Sequence, residues 1–406
     1  MTIDWQAAEK QAQAEIDKIL SWTIEARHRI HKNPELTWQE ENTAAFVMES
    51  LSNIEDLVIH PITKTGVVCV LEGAEPGPTL ALRGDMDALP IQEMNNNIPY
   101  KSCHDGVMHA CGHDGHTANL MGSVRVLSNL RKYIKGKIKF IFQPAEEGGA
   151  GALAMCKEGV LQNPKVDAIF GLHAWPESNL GEVLLADGPM MAGNATIDIT
   201  LKGRGGHAAL PHLATDQILG AARLVQSLMN IRARLVAPSE PFCLTITRIN
   251  GGSAYNIIPD EVTIAGTMRA LSRDIISMAT KEVERLSEDL AKELGGEVEV
   301  RIKPLYPPVV NNKKAHDFLQ KQAQTVIGPD RVKALKQPTM GAEDFSYYLD
   351  HVPGAFFFLG MKENESQSYP SLHHPKFNFN DRAFATSLKV YTQLGLRFGH
   401  SWSKVV

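Results

Sequence analysis

Between residues 195 and 303 the hydrophobic pattern reads strand, helix, strand, strand, helix, strand, at 195–202, 214–231, 242–250, 261–269, 272–293 and 297–303. That order, over about 110 residues, is the split βαβ or ferredoxin-like arrangement. Two neighbouring strands of antiparallel type do not suit a doubly wound parallel sheet. The block is therefore expected to fold as a domain of its own.

On either side the text is different. Strand-like runs at 67–71, 79–83, 137–142 and 168–172 alternate with helical stretches such as 116–133 and 150–157. Strands alternating with helices imply an α/β sheet covered on both faces. After residue 304 the same style returns, with helices at 314–326, 342–349 and 382–394 and a strand at 355–359. The expectation is one α/β domain in two parts, 1–190 and 305–406, interrupted by a satellite at 191–304. Apolar residues Ile16, Ile19 and Leu20 predict an amphipathic opening helix.

Composition removes several function classes. Charged residues are 21% and hydrophobic ones 43%, which excludes a disordered chain or a fibre. A formal net charge of −5 leaves no electrostatic footprint for nucleic acid or an anionic membrane. No run of 18 apolar residues exists to span a bilayer, and the first twenty residues lack the apolar core of a secretory signal. Five cysteines are too few, and odd in number, for a disulfide scaffold. Reduced thiols and a cytoplasmic location are expected.

Four polar clusters sit near the ends of the first strands. Strand 79–83 runs into Gly84-Asp85-Met86-Asp87, and strand 137–142 into Gln143-Pro144-Ala145-Glu146-Glu147. Strand 168–172 ends at His173, and the stretch from His109 through Cys111 and His113 to His116 opens a helix. Open α/β sheets bind ligands beyond the carboxyl ends of their strands. Cys111, His113, Glu147 and His173 are donor types that suit zinc and its neighbours. More than four candidate donors imply two metals, which together clamp an attacking water and polarise a carbonyl. In the Glu146-Glu147 pair one carboxylate can ligate metal while the other acts as general base. Singly, each piece has an ordinary explanation: turn aspartates, a buried cysteine, a solvated acidic pair, a core histidine. It is their convergence on one rim that points to a metal site.

With those residues in view, the chain resembles the di-metal amidohydrolases that include hippurate hydrolase, auxin-conjugate hydrolases and bacterial aminoacylase/carboxypeptidases. The likeness lies in RIHKNPE (29–35), LRGDMDALP (82–90), HACGHDGH (109–116), FQPAEEG (142–148), GLHAW (171–175), GRGGHAALPH (203–212), NIIPD (256–260), GTMR (266–269), GAEDF (341–345) and the HHP of His373-His374-Pro375. The resemblance implies a mixed-sheet catalytic domain like that of zinc exopeptidases, two divalent ions (Zn, Mn, Co or Ni), and Cys111, His113, Glu147, His173 and His374 as ligands. The residues alone do not choose His374 over His373. It further implies Glu146 as general base, Asp87 as a residue that orients a ligand, and His207 as the group on the oxyanion. Asn256 and Arg269 are implied at the substrate carboxylate, and a homodimer through the satellite. Asp85 stands where related exopeptidases have a histidine ligand.

The reaction so implied is hydrolysis of N-acyl-L-amino acids. A metallo-carboxypeptidase or dipeptidase on the same scaffold is the alternative. Two further readings stand beside it: a non-catalytic metal-binding protein, and a thiol enzyme using Cys111 as nucleophile.

Overall fold

The computed structural model describes residues 3–363 and 368–404. The chain forms two compact units. One comprises Met1–Gly188, Val310–Lys336 and Asp344–Val406, the other Pro189–Val309 and Gln337–Glu343.

The first unit is built on an eight-stranded sheet. Numbered in chain order, its strands are β1 (Leu57–Ile62), β2 (Gly66–Glu72), β3 (Glu75–Asp85), β4 (Lys135–Gln143), β5 (Ala168–Asn179), β6 (Val183–Leu185), β15 (Val332–Ala334) and β16 (Gly354–Lys362). They lie in the order β1-β2-β4-β3-β5-β16-β6-β15. The central strands β4, β3, β5 and β16 are parallel, whereas β1 and β2 add antiparallel pairs at one side. The sheet is therefore mixed. The central strands are buried on both faces, and residues 354–361 are buried without a break. Such continuous burial is what a sheet covered by helices on both sides requires.

The helices of this unit are α1 (Trp5–Lys32), α2 (Glu41–Leu51), α3 (His113–Asn129), α4 (Gly151–Lys157), α7 (Lys313–Ile327), α8 (Ser346–Leu349) and α9 (Phe384–Ser401). The opening helix is longer than its apolar stripe alone suggests. Asp4 caps it by accepting from the Ala7 amide at 3.1 Å, and Arg29, His31 and Lys32 complement the dipole at its far end. Ala8, Ala12 and Ile16 repeat every four residues and put one face into the core.

A buried polar joint ties α1, α3 and the 378–381 segment together. Arg27 Nε donates to Asp114 Oδ2 at 2.8 Å, its Nη1 donates to Phe379 O and Asp381 Oδ1, and its Nη2 to Asn378. His31 lies between Asp114 (2.8 Å) and Glu93 (3.2 Å). All four side chains of this inner group, Arg27, His31, Glu93 and Asp114, are buried.

The second unit holds β8 (Gly193–Lys202), α5 (Gln217–Arg234), β10 (Phe242–Gly251), β12 (Glu261–Ala270), α6 (Arg273–Leu294) and β13 (Glu297–Pro304). Its four-stranded sheet has the order β10-β12-β8-β13, antiparallel throughout. Along β8 the residues Ala195, Ile197, Ile199 and Leu201 are buried, while Asp198 and Lys202 are exposed. That period of two marks a sheet with one covered face, and α5 and α6 supply the cover. A short ribbon pairs β9 (Gly206–His207) with β11 (Ile257–Ile258). Short strands β7 (Pro189–Met191) and β14 (Val309–Val310) stand where the chain leaves and returns. Among the described residues no helix is long and apolar enough to cross a membrane.

Candidate metal centre

The parallel strands deliver their polar residues to one rim. β3 ends at Asp85 and continues to Asp87, while β4 ends at Gln143 and continues to Glu146 and Glu147. α3 begins at His113, earlier than the expected start near His116. His173 also departs from expectation. It lies inside β5 and pairs in register with Phe358, because that strand runs on to Asn179. Gly112, just before α3, has a φ of +91°, and a Cβ there would lie 3.1 Å from Ala174 Cβ. Glycine is needed for Cys111 and His113 to approach β5.

The donors converge. Cys111 Sγ is 3.3 Å from His173 Nε2, and one ligand atom each from Cys111, His113 and His173 lies within 4.8 Å of the others. Cys111, Glu147 and His373 form a second such group, and His113, Glu146 and Glu147 a third. The histidines are oriented from behind. His173 Nδ1 faces Ala174 O at 2.8 Å, which turns Nε2 toward Cys111. His113 Nδ1 faces Asp87 O at 2.9 Å and Asp87 Oδ1 at 3.2 Å. A metal-binding imidazole commonly gives its other nitrogen to a carbonyl or carboxylate in this way.

His113 Nε2 and Glu147 Oε1 are buried with no hydrogen-bond partner of good geometry. Buried orphans of this kind are costly unless something else binds them. The donor set is sulfur, imidazole and carboxylate, so these residues fit divalent cations of the zinc type.

The electrostatics agree. Burial, with Glu147, Glu146 and Asp85 nearby, pushes the Cys111 thiol well above its ordinary value. That argues against an activated cysteine nucleophile. Burial works against a charge on His113, but Asp85, Asp87 and Glu147 outweigh it and hold the imidazole up to about 10. Cation binding there displaces a proton.

Asp87 organises the carboxylate loop as well as His113. Its Oδ1 accepts from the Glu146 amide at 3.0 Å, and its Oδ2 from the Glu147 amide at 2.9 Å. The loop it grips is wound tightly. Ala145 and Ala150 have φ of +56° and +54°, and Gly151 N closes onto Ala145 O at 3.0 Å. Non-glycine residues in that region cost on the order of 1 kcal/mol each.

Asp85, His113 and His116 also lie close together. Asp85 and His116 differ from the donors of the first cluster because their polar atoms are already engaged. Arg83 Nη1 meets Asp85 at 2.6 Å, His116 Nδ1 meets Asp85 at 2.6 Å, and His116 Nε2 accepts from the Ala174 amide at 2.9 Å. Burial opposes ionisation of Asp85, yet Arg83, His113 and His116 keep it well below the ordinary carboxylate range. Asp85 is a strut of the site.

The expected ligand His374 lies apart from the donor groups. His374 is exposed, and its Nδ1 accepts from the Lys376 amide at 3.0 Å. Its neighbour His373 joins the cluster instead, with Nε2 3.2 Å from Glu147 Oε1. The reason is a turn. His374 N bonds to Ser371 O, His373 takes a φ of +64°, and the His373 amide is pinned to Ala110 O at 2.8 Å. Adjacent residues of such a turn point apart, so only one can face the donors.

The second unit carries His207, Asn256 and Arg269. His207 is exposed on the β9–β11 ribbon, with Nδ1 accepting from Ala209 N at 3.1 Å. Asn256 is exposed and accepts the Ala208 amide on its backbone oxygen at 3.0 Å. Arg269 is half-buried on β12 and donates to Met340 O at 2.8 Å.

Comparison with known proteins gives a consistent picture. Residues 81–397 match the family described as Peptidase family M20/M25/M40. The chain is 37% identical over 390 residues to the IAA-amino acid hydrolase ILR1-like 4 of Arabidopsis thaliana, covering 95% of this chain and 87% of that protein. It is 38% identical over 365 residues to the N-acetyl-L-cysteine deacetylase of Bacillus subtilis (strain 168), covering 89% and 84%. The crystal structure of the Bacillus subtilis YXEP protein, described as a dinuclear metal binding peptidase, superposes with a TM-score of 0.82 at 30% identity, covering 96% of this chain and all of that one.

Proposed function

The chain belongs to peptidase family M20/M25/M40, and from that premise we propose that it hydrolyses the amide bond of N-acyl-L-amino acids in a metal-dependent reaction. The observation that carries this reading is the arrangement of Cys111, His113, Glu147, His173 and His373 beside Glu146, whose backbone is clamped by Asp87. Relatives named as an IAA-amino acid hydrolase and an N-acetyl-L-cysteine deacetylase support the same substrate class.

Those five donors would hold two divalent cations. Bound there, such ions supply Lewis acidity to a carbonyl and lower the pKa of a water toward about 7. The chain's own part falls first to Glu146. Its carboxylate takes the proton of the attacking water and later gives it to the departing amine nitrogen. Asp87 keeps Glu146 and Glu147 in register and holds His113 in the tautomer that turns Nε2 toward the donors. We assign His207 to the oxyanion of the tetrahedral intermediate. Asn256 and Arg269 take the substrate carboxylate, for which a guanidinium fork is suited.

We also assign the second unit as an inserted ferredoxin-like satellite at 191–304, within a catalytic domain of 1–190 and 305–406, and as the contact of a homodimer. Its strand order, with the first and third strands of the motif at the centre, supports the assignment. Five unpaired cysteines support a reducing, cytoplasmic setting.

The test is amino-acid release from N-benzoylglycine, N-acetyl-L-methionine, an indole-acetyl conjugate, p-aminobenzoyl-glutamate and two dipeptides. It is run on chelated protein and after refilling with Mn²⁺, Zn²⁺, Co²⁺ or Ni²⁺. Metal-dependent release from the acyl amino acids is expected. Release from dipeptides alone would instead favour the carboxypeptidase or dipeptidase alternative, which the peptidase description of the YXEP structure keeps in view.

A further inference from the structure

Glu40 occupies the N-cap position of α2 but does not cap it. The first-turn amides of that helix are served from elsewhere. Glu35 Oε1 accepts from Asn42 N at 3.0 Å, and Glu35 Oε2 from Thr43 N at 2.8 Å. Glu40 is fully buried, and its carboxylate reaches across to the loop that carries Glu146. Oε1 accepts from the Ala145 amide at 2.8 Å and from the Trp38 amide at 3.0 Å, and Oε2 accepts from Thr65 Oγ1 at 2.6 Å. The positive end of α2 adds a favourable field for a carboxylate placed there.

The residue so held has a left-handed backbone. Ala145 takes a φ of +56° directly before Glu146. Other members of the same segment press on the same loop. Thr37 Oγ1 lies 3.0 Å from Asp87 Oδ2 and 3.1 Å from Glu147 O, and Trp38 Nε1 donates to Gly149 O at 3.3 Å. A Cβ on Gly149 would fall 2.5 Å from Thr37 Cγ2 and 2.8 Å from Trp38 Nε1. The loop is therefore moulded against residues 37–40.

We propose that Glu40 is a positioning residue for catalysis, one that holds the Ala145 turn and thereby aims the Glu146 carboxylate. The inference rests on the reading of Glu146 as general base. Misplacing a reacting group by about 1 Å costs on the order of 10²-fold in rate. Glu40 is fully buried and its hydrogen bonds go to Trp38, Thr65 and Ala145 rather than to the donor side chains, so its loss should leave metal and substrate binding intact.

The test uses Glu40→Ala, Glu40→Asp, which is too short to span the gap, and Glu40→Gln, which keeps an acceptor for both amides. Leu51→Ala, buried in the same helix, is the stability control. In metal-free protein, hydrogen exchange at the Ala145 amide is expected to be slow in wild type and Glu40→Gln and fast in the Ala and Asp variants. In metal-loaded protein, the Ala and Asp variants should lose on the order of 10²-fold in kcat, with KM and metal content unchanged. Glu40→Gln and Leu51→Ala should keep wild-type kcat. A protected Ala145 amide in both short variants would overturn the proposal. So would kcat losses that track thermal stability across all four variants. Full activity of Glu146→Gln would sink the general-base reading alone, because the exchange measurement still reports whether Glu40 holds the turn.

Discussion

Two buried polar clusters meet at the N-terminus of α3, on adjacent residues, and they are built on opposite plans. Around Asp114 the protein supplies its own cation. Arg27 answers Asp114 and Asp381, and His31 is held between Asp114 and Glu93. Around His113 it supplies mainly electron pairs. Cys111, His173, Glu147 and His373 turn lone pairs toward one another, and His113 Nε2 and Glu147 Oε1 find no hydrogen-bond partner of good geometry. Cys111, His113 and His173 are buried like the residues of the joint, while Glu147 and His373 are partly exposed, so burial alone does not distinguish a joint from a binding site. The balance of charge does. A buried cluster completed by arginine holds helices together, whereas one that keeps protons on His113 and Cys111 gives them up to an external cation.

The largest effect should come from the carboxylate that belongs to neither set of struts. Glu146→Gln is expected to keep its metal content and lose about 10²- to 10⁴-fold in turnover. Metal analysis beside single-turnover rates checks this, and normal turnover with full metal would remove the base assignment.

The next contrast separates the clusters by stability in chelated protein. Arg27→Met strips the guanidinium from buried Asp114, leaving it His31, and should cost about 3–5 kcal/mol in a denaturant titration. Cys111→Ala removes one acceptor from a crowd of them and should cost about 1 kcal/mol, the ordinary level of a point mutation. Metal should then reverse the ranking of benefit. At a hundredfold excess over Kd it stabilises wild type by about 2.7 kcal/mol, and it should stabilise Cys111→Ala far less. Equal losses in the two variants before metal addition would erase the distinction.

His373 and His374 offer a sharper version within one dipeptide. His373→Ala should weaken metal binding by at least the 10–100-fold that loss of an outer partner causes. His374→Ala, at an exposed site, should stay within about 0.5 kcal/mol in stability and leave metal affinity unchanged. Calorimetric titration with Zn²⁺ or Mn²⁺ reads both.

The smallest effect concerns a buried cation answered by carbonyls alone. Lys139 Nζ donates to Val160 O and Pro164 O, and burial lowers its amine to about 8. The unfolded amine titrates near 10.4, so between about pH 8 and 10.4 the unfolded chain binds more protons. Stability contributed at this position should therefore rise with pH across that window and stay at its low value below it. The difference in stability between wild type and Lys139→Met as a function of pH isolates this slope. A flat difference would mean the amine is not shifted.

Much of the site could be read from local pattern. An apolar strand followed by acids announces a rim, so Asp85, Asp87, Glu146 and Glu147 were placed by their strands. The alternation in β8 and its neighbours likewise exposed the second unit. What failed depended on geometry that periodicity does not carry. Strand β5 continues past His173 because its pairing with β16 extends to Asn179, and nothing in the local text ends or extends it. The choice of His373 over His374 rests on the hand of one turn. Glu40 carries no local signal, because its partners Thr65 and Ala145 are brought to it only by the fold. Arg27 and Asp114 are 87 positions apart, a separation no window covers.

The order in which the donors occur along the chain has a consequence for biosynthesis. Cys111, His113, Glu147 and His173 emerge from the ribosome before the second unit, and His373 only after it. Strand β16, which must slot beside β5, also arrives late. If the proposed donor set is right, the nascent chain would carry an incomplete chelate throughout translation of the intervening segment. Such a chelate is open to whichever thiophilic ion is most abundant, copper above all by intrinsic affinity. On that reading an ion captured early would be carried into the finished protein, and protein made in a metal-rich extract should differ in its ion from protein refolded in the chosen one.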